Sequence, residues 1–253
     1  MTAPSGRCQV GAVLVPLCWR LEDPPPVALL ATAASSAATP PLLVIDRREP
    51  LPELARSELA ACLSSPERQR LAALRQPGDR ERFLRGRGAL RLLLGAWLGQ
   101  PGEAVAIQAA PRGKPCCPGG PEFNVSHSGE LILLALHPSR PVGVDVERER
   151  PDLDWRPIAR RMLPVAEAEA LEQLAHRQGA RAAAAAFFSA WCRLEARLKA
   201  RGLGLAAPGE PPLRREAGED LWDVALPVGY RAAVALTAHP AAVAGACPPG
   251  PPG

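Results

Sequence analysis

Short apolar runs in the middle of the chain predict β-strands joined by tight turns. Residues 131–136 are continuously apolar, and residues 142–146 place valine at alternate positions. Pro138 and Pro141 supply turn residues between these two runs, so the pattern predicts a β-hairpin. Further strands are predicted at 10–19, 42–45 and 104–109, and a second hairpin at 221–226 and 230–236.

Apolar residues three and four positions apart predict helices between these strands. One helix begins at Pro50 and continues to residue 63, and another begins at Ser65. Pro77 and Gly78 are predicted to break that second helix. Asp79 then provides an N-cap for a long, arginine-rich helix that ends near residue 98.

Two carboxylates accompany the strand predicted at 142–146. Because alternate residues of a strand share a face, Asp145 and Glu147 project to the same side, about 7 Å apart. Neighbouring carboxylates repel each other unless a cation lies between them, and oxygen ligands select Mg²⁺, Ca²⁺ or Mn²⁺ rather than Zn²⁺. An acidic pair at the solvated end of a strand is the alternative interpretation.

A helix predicted at 182–201 carries a second group of polar residues. Glu195 and Lys199 are four positions apart and Trp191 lies one turn earlier, so the three share a face. Gly202 and Gly204 would end this helix. Taken alone, Glu195 and Lys199 could equally form an ordinary surface ion pair, worth about a few tenths of a kcal/mol.

The sequence Ser126-His127 suggests nucleophilic catalysis at first sight. Adjacent residues of a strand point to opposite faces, so these two side chains are not expected to form a hydrogen bond with each other. The pattern therefore argues against a hydrolase.

Composition narrows the class of protein. The 253 residues include 30 Lys and Arg and 26 Asp and Glu, a net charge of +4. This mild positive charge suits an anionic cofactor and an acidic protein partner, and it does not require nucleic acid. Seven cysteines without a C-x-x-C pair favour reduced thiols in the cytoplasm. No run of about 20 apolar residues is present, so no membrane span is expected.

Four short motifs follow one another between Arg70 and Gly204. They are Gly113-Lys114-Pro115, Asn-Val-Ser-His-Ser at 124–128, Gly-Val-Asp-Val-Glu at 143–147, and Trp191 with Glu195, Ala196 and Lys199. Their order and spacing resemble those of the Sfp-type 4′-phosphopantetheinyl transferases. One position departs from that family: the lysine before the motif glutamate is Leu194 here.

The resemblance implies an α+β fold with two similar α/β lobes in a pseudo-two-fold arrangement. Each lobe would be a small, mostly antiparallel sheet packed with a long helix. The predicted elements fit this arrangement, because a long helix followed by a strand and a hairpin occurs twice, at 79–147 and 182–236. The predicted lobes are 9–140 and 141–239, followed by a disordered Pro/Gly-rich tail at 240–253. The site would lie between the lobes of a cytoplasmic monomer.

The resemblance also implies an activity. The enzyme would transfer 4′-phosphopantetheine from coenzyme A to a serine of an apo acyl or peptidyl carrier protein and release 3′,5′-ADP. Asp145, Glu147 and Glu195 would hold Mg²⁺. The catalytic residues would be Glu195, Lys199 and Asp145, with Glu195 or a metal-bound water as the base for the serine proton.

Coenzyme A would contact a wider set of side chains, and His127 is the one expected at its 3′-phosphate. The resemblance favours Arg87 and Arg70 as further phosphate contacts. The complete predicted set is Arg70, Arg87, Lys114, Asn124, Ser126, His127, Asp145, Glu195 and Lys199.

Two alternative functions stay open. Because Leu194 replaces a lysine, the chain could be a catalytically degenerate homologue that binds coenzyme A or a carrier protein. The arginine-rich stretch at 79–91 would instead suit a nucleic-acid-binding protein whose affinity falls steeply with salt. The intact carboxylates and Lys199 favour the enzyme, with no nucleic acid and no membrane as partner.

Overall fold

The computed structural model describes residues 13–28, 39–110, 112–203 and 216–238, and its fold is α+β, as predicted. Gly204 and the tail at 240–253 lie outside these ranges. The described strands are β1 (Val13–Leu14), β2 (Leu17–Cys18), β3 (Leu42–Asp46), β4 (Gln108–Ala109), β5 (Pro115–Cys116), β6 (Glu122–Ser128), β7 (Leu131–His137), β8 (Val142–Arg148), β9 (Asp220–Val224) and β10 (Tyr230–Leu236).

Six α-helices lie wholly within the described ranges. They are α1 (Glu53–Ala61), α2 (Ser65–Ala73), α3 (Pro77–Leu98), α4 (Arg156–Met162), α5 (Val165–Gln178) and α6 (Ala180–Ala200). The helix that begins at Ser65 does end before Pro77, as predicted. The prediction that Asp79 caps the long helix was wrong, because α3 already begins at Pro77, whose missing N–H needs no partner there, and Asp79 lies in its first turn. None of these helices combines the length and apolar character needed to cross a membrane.

Two four-stranded sheets form the centre of the protein. The N-terminal sheet has the order β2-β3-β7-β6, and the C-terminal sheet has the order β1-β9-β10-β8. In each sheet the short first strand is parallel to its neighbour and the other pairs are antiparallel. Helix α3 packs its leucines against β7, and small residues of α6 pack against β10.

The first strands modify the predicted domain arrangement. The strand predicted at 10–19 is divided into β1 and β2 in its described part, and β1 joins the C-terminal sheet. The chain passes from one sheet to the other between His137 and Val142, next to the predicted boundary at 140/141. The pseudo-two-fold relation and the lobe limits stay predictions.

The prediction that residues 131–136 and 142–146 form a hairpin was wrong. Strand β7 pairs with β3 and β6, whereas β8 pairs with β10 in the other sheet. All seven residues of β7 are buried, so this strand needs a neighbour on each side and cover on both faces. The hairpin is formed by β6 and β7 around Gly129, whose φ is +54°. The predicted β9–β10 hairpin is confirmed.

Candidate metal and phosphate site

Helix α6 lies very close to β8 because residue 143 has no side chain. A methyl group on Gly143 would overlap the carbonyl oxygen of Ala196 and the backbone nitrogen of Ala200. Both alanines are fully buried in this contact, together with Cys192. The close approach brings the polar face of α6 to the carboxylates of β8.

These two elements, with β6, enclose a cleft of about 360 Å³, which we call the carboxylate cleft. It contains the side chains predicted to hold the metal and perform catalysis, so the structure brings together residues that are distant in sequence. Its lining is Val125, Ser126, His127, Asp145, Val146, Glu147, Trp191, Glu195 and Lys199.

Asp145 is the most buried carboxylate of the cleft, at 4% exposure. Its Oδ1 accepts a hydrogen bond from the ammonium of Lys199 at 2.5 Å and another from the hydroxyl of Ser126 at 3.0 Å. Its Oδ2 is buried and has no hydrogen-bond partner among the described residues. Glu147 is partly exposed, and its Oε2 accepts a hydrogen bond from Ser128 at 3.0 Å.

Burial and neighbouring carboxylates raise the pKa of both glutamates of the cleft. Burial raises the pKa of Glu195 most, and the negative charges of Asp145 and Glu147 raise it further, against the opposing effect of Lys199. Burial and Asp145 likewise raise the pKa of Glu147, although the hydrogen bond from Ser128 opposes them. A divalent cation bound between these groups would relieve the repulsion.

The donor set therefore fits Mg²⁺, which binds carboxylate oxygens and keeps several waters. Across the described ranges, no three His, Cys, Asp or Glu residues are already close enough together to hold a metal. Lys199 provides the positive charge beside Asp145, so an ion that binds there must compete with its ammonium group. The buried Oδ2 of Asp145 has no hydrogen-bond partner within the described ranges, so this oxygen would be available to a metal ion.

A larger cleft of about 540 Å³ adjoins the carboxylate cleft, and we call it the arginine cleft. The two clefts share Val125 and His127. Both arginines predicted as phosphate contacts line the larger cleft, where the guanidinium of Arg70 lies 5.4 Å from the centre of the Phe83 ring. Its lining is Pro66, Glu67, Arg70, Leu74, Asp79, Arg82, Phe83, Gly86, Arg87, Leu90, Pro115, Val125 and His127.

Sequence reasoning missed Arg82, Phe83 and Glu67 as members of this cleft. The available signal was the helix face of α3, since positions 79, 82, 83, 86, 87 and 90 recur at intervals of three and four. Arg87 is ion-paired with Glu67, and Arg82 with Asp79. Both guanidinium groups are thus held at the wall of the cleft by acidic neighbours.

His127 lies where the two clefts meet. Partial burial lowers the pKa of its imidazole, and the positive charges of Arg82 and Lys199 lower it further. The same charges make this junction favourable for an anion that contacts both clefts.

Two predicted cofactor contacts do not face either cleft. The ammonium of Lys114 donates hydrogen bonds to the carbonyl oxygens of Val142 at 3.0 Å and Ala200 at 3.3 Å, and burial lowers its pKa. The side-chain oxygen of Asn124 accepts a hydrogen bond from the backbone nitrogen of Val144 at 2.9 Å. The structure gives both side chains contacts that hold β8 in place, and their roles at coenzyme A stay predictions.

The unusual Leu194 points away from the cleft. It is 8% exposed and belongs to the same buried apolar cluster as Trp155 and Phe187. Arg193 does not replace the absent lysine either, because it forms a bidentate ion pair with Asp223 of β9. The substitution therefore adds apolar packing between α6 and the helices beside it.

We expect Leu194→Lys to lower the free energy of unfolding by about 2 kcal/mol, because a lysine there places a charge among apolar side chains. No gain in transfer activity is expected. Urea unfolding and a transfer assay measure the two effects, with Leu194→Met as the volume-matched control, which should cost less than about 1.5 kcal/mol. A clear rise in activity with lysine would instead identify the natural chain as a degenerate homologue.

Comparison with known proteins gives an independent view of the same region. The family model described as "4'-phosphopantetheinyl transferase superfamily" matches residues 141–216, which include β8 and α6. The match begins at the edge of β8 and thus covers all three carboxylates of the cleft.

Several curated proteins are similar over longer stretches. The 4′-phosphopantetheinyl transferase HetI of Nostoc sp. is 40% identical over 161 residues, which cover 61% of this chain and 66% of HetI. A putative 4′-phosphopantetheinyl transferase, slr0495 of Synechocystis sp., is 33% identical over 150 residues, 58% of this chain and 59% of that protein. The AcpT protein of Salmonella typhi is 39% identical over 94 residues. The matched part of this chain spans less than two thirds of each of these relatives.

Proposed function

We propose that the chain is a transferase of the 4′-phosphopantetheinyl transferase superfamily, the family whose model matches residues 141–216 and whose motifs the sequence resembles. It would move 4′-phosphopantetheine from coenzyme A to a serine of an apo acyl or peptidyl carrier protein. The observation that carries the proposal is the single cleft that contains Asp145, Glu147, Glu195 and Lys199 and adjoins a cleft lined by arginines. We further propose that the enzyme is cytoplasmic and monomeric.

The carboxylate cleft suits the chemistry of phosphoryl-type transfer. The serine oxygen attacks the β-phosphorus of coenzyme A, and the bond from that phosphorus to the bridging oxygen breaks, so that 3′,5′-ADP leaves with its α-phosphate. Mg²⁺ held by Asp145, Glu147 and Glu195 would neutralise negative charge on the two phosphates. Lys199 would add a second positive charge on the same side.

Glu195 is the residue we propose as the base. It lines the carboxylate cleft beside Asp145 and Glu147, and it would accept the proton that the serine hydroxyl loses during attack, either directly or through a metal-bound water. It lies on α6 one turn before Lys199, so the same helix supplies the base and the cation. Because Gly143 allows α6 to lie close to β8, Glu195 and Lys199 are held beside the carboxylates of β8.

The arginine cleft would bind the nucleotide end of coenzyme A. Arg70, Arg82 and Arg87 line a space of about 540 Å³, which is within the usual range for small-molecule sites. His127, at the junction of the clefts, is the proposed contact for the 3′-phosphate. In this proposal the positively charged side chains bind coenzyme A, and the carboxylates hold the metal and carry out the transfer.

Incubation with labelled coenzyme A, Mg²⁺ and a panel of apo-carrier proteins tests the function. We expect label on the serine of at least one carrier, and its loss when a chelator removes the metal. A protein that binds coenzyme A with Mg²⁺ yet labels no carrier would be the degenerate homologue instead. The panel also identifies the carrier class.

We expect His127→Ala to raise the KM for coenzyme A about tenfold or more, because a charge-assisted hydrogen bond to a phosphate is worth about 1.5–3 kcal/mol. The KM for 3′-dephospho-coenzyme A should hardly change, since that substrate lacks the contacted group. Steady-state kinetics with both substrates measure the difference, and His176→Ala, on the exposed side of α5, is the control. Equal effects on the two substrates would refute the 3′-phosphate role.

The nucleic-acid alternative loses its main support. Within the described ranges, the arginines of α3 are mostly held in ion pairs: Arg82 with Asp79, Arg85 with Glu81, and Arg87 and Arg91 with Glu67. Arg85 and Arg91 are also buried. Helix α3 therefore presents less free positive charge than its sequence suggests, and Mg²⁺-dependent binding of coenzyme A would separate the two functions.

A further inference from the structure

Strands β6 and β8 lie side by side at the facing edges of the two sheets, and side chains join them. Alternate residues of β6 each accept a hydrogen bond from a backbone N–H of β8. The bonds run from Val144 N to Asn124 Oδ1 at 2.9 Å, from Val146 N to Ser126 Oγ at 3.3 Å, and from Arg148 N to Ser128 Oγ at 3.0 Å. The repeat explains why polar residues occupy alternate positions of β6, where Asn124 and Ser126 are buried.

The two serines make a second contact that Asn124 does not. The hydroxyl of Ser126 donates its proton to Oδ1 of Asp145 at 3.0 Å, and the hydroxyl of Ser128 donates to Oε2 of Glu147 at 3.0 Å. In both cases the serine bonds the amide of one β8 residue and the carboxylate of the residue before it. Asn124 occupies the same position opposite Gly143, which has no side chain.

A hydroxyl has one proton and two acceptor positions, so its other bonds determine where the proton goes. Ser126 accepts hydrogen bonds from Val146 N and from the ammonium of Lys199, at 3.3 Å each. Both acceptor positions are therefore used, and the proton is directed to Asp145. Ser128 accepts one hydrogen bond, from Arg148 N, and donates its proton to Glu147.

We propose that Ser126 and Ser128 are positioning residues that orient the two metal-binding carboxylates of β8. Each serine fixes one oxygen of its carboxylate and couples it to the backbone of the strand. For Asp145, this leaves Oδ2 without a hydrogen-bond partner in the part of the chain that the structure describes. The proposal rests on the proposed function only in requiring that a divalent cation binds at Asp145 and Glu147. It gives Ser126 a role different from the predicted contact with coenzyme A.

The competing explanation is that the serines only hold the two sheets together. Asn124 separates the two explanations, because it makes the same kind of bond to β8, whereas none of its hydrogen bonds in the described ranges goes to a carboxylate. Loss of a partner that orients a metal ligand typically weakens metal affinity about 10- to 100-fold. Loss of a bond that only joins the sheets lowers stability and leaves metal affinity alone.

The test compares full-length Ser126→Ala, Ser128→Ala, Ser128→Thr and Asn124→Ala with the unaltered protein. Mn²⁺ affinity is measured by electron paramagnetic resonance without coenzyme A or carrier, and urea unfolding is measured without metal. We expect each serine-to-alanine change to weaken Mn²⁺ binding about tenfold. Asn124→Ala should lower the urea midpoint while its Mn²⁺ affinity stays within about twofold of that of the unaltered protein. Ser128→Thr keeps the hydroxyl, so it should keep the Mn²⁺ affinity that Ser128→Ala loses.

Equal losses of urea midpoint in the three alanine variants, with unchanged Mn²⁺ affinity, would overturn the positioning role and leave the proposed function intact. An unaltered protein that binds no Mn²⁺ would overturn both. If Ser126→Ala does not fold, the comparison of Ser128→Ala with Ser128→Thr still decides, because Ser128 is only partly buried.

Discussion

Replacing Gly143 by alanine is expected to lower the free energy of unfolding by about 3 kcal/mol or more and to abolish transfer. The added methyl group would overlap backbone atoms of Ala196 and Ala200 and lie 2.9 Å from the carbonyl carbon of Lys199. These atoms belong to the hydrogen-bonded backbone of α6, so the helix must move as a unit. Such a movement separates Glu195 and Lys199 from the carboxylates of β8.

Urea unfolding followed by circular dichroism, together with the transfer assay, measures both losses. Gly78→Ala is the matched control, because the nearest atom to its new methyl group is a side-chain nitrogen of Arg47 at 3.9 Å. We expect that change to alter stability by less than about 1 kcal/mol. Wild-type stability and activity in Gly143→Ala would show that the close contact of α6 with β8 does not hold the cleft together.

The strand and helix periodicities of the sequence were sufficient to predict the two polar faces of the cleft. Alternation in β8 predicted that Asp145 and Glu147 share one face and that Val144 and Val146 point to the opposite, buried face; these two valines are 0% and 1% exposed. Helical spacing placed Glu195 and Lys199 together on α6. Both predictions depend only on residues within a few positions of each other.

The arrangement of strands in sheets could not be predicted in this way. The apolar pattern of β7 and β8 specifies that their faces are buried, but it does not specify which strands lie beside them. A turn of a few residues between them was therefore interpreted as a hairpin, although the turn connects two different sheets. The serines of β6 that bond the edge of β8 appeared in the sequence only as part of a motif.

Lys114 shows the same limit at a single side chain. Its position between Gly113 and Pro115 suggested a loop lysine beside a phosphate. In the structure it bonds carbonyl oxygens of residues 28 and 86 positions away in the chain. One of these carbonyls, that of Ala200, is at the end of α6, where the helix dipole favours a cation. Contacts between residues so far apart in the chain depend on how α6 packs on β8. The pattern of neighbouring residues in the sequence does not specify that packing.

Asp145→Asn is expected to reduce the rate of transfer by about 10²-fold or more and to weaken Mn²⁺ binding by at least about tenfold. The amide keeps the shape of the side chain but removes the negative charge that would attract the metal. Loss of the ion pair with Lys199 is offset by weaker repulsion of Glu147 and Glu195, so stability should change by less than about 2 kcal/mol.

Asp223→Asn provides the matched control for that experiment. It makes the same chemical change and also removes an ion pair with α6, here with Arg193 at 2.6 Å, but outside the carboxylate cleft. Its rate of transfer should stay within about twofold of the unaltered protein, because an exposed ion pair contributes about 0–1 kcal/mol. If Asp145→Asn labels the carrier as fast as Asp223→Asn does, the charge of Asp145 is not needed for transfer, and the metal must be assigned to other residues. If only Asp145→Asn is inactive while both variants unfold at similar urea concentrations, the loss is chemical and is not caused by unfolding.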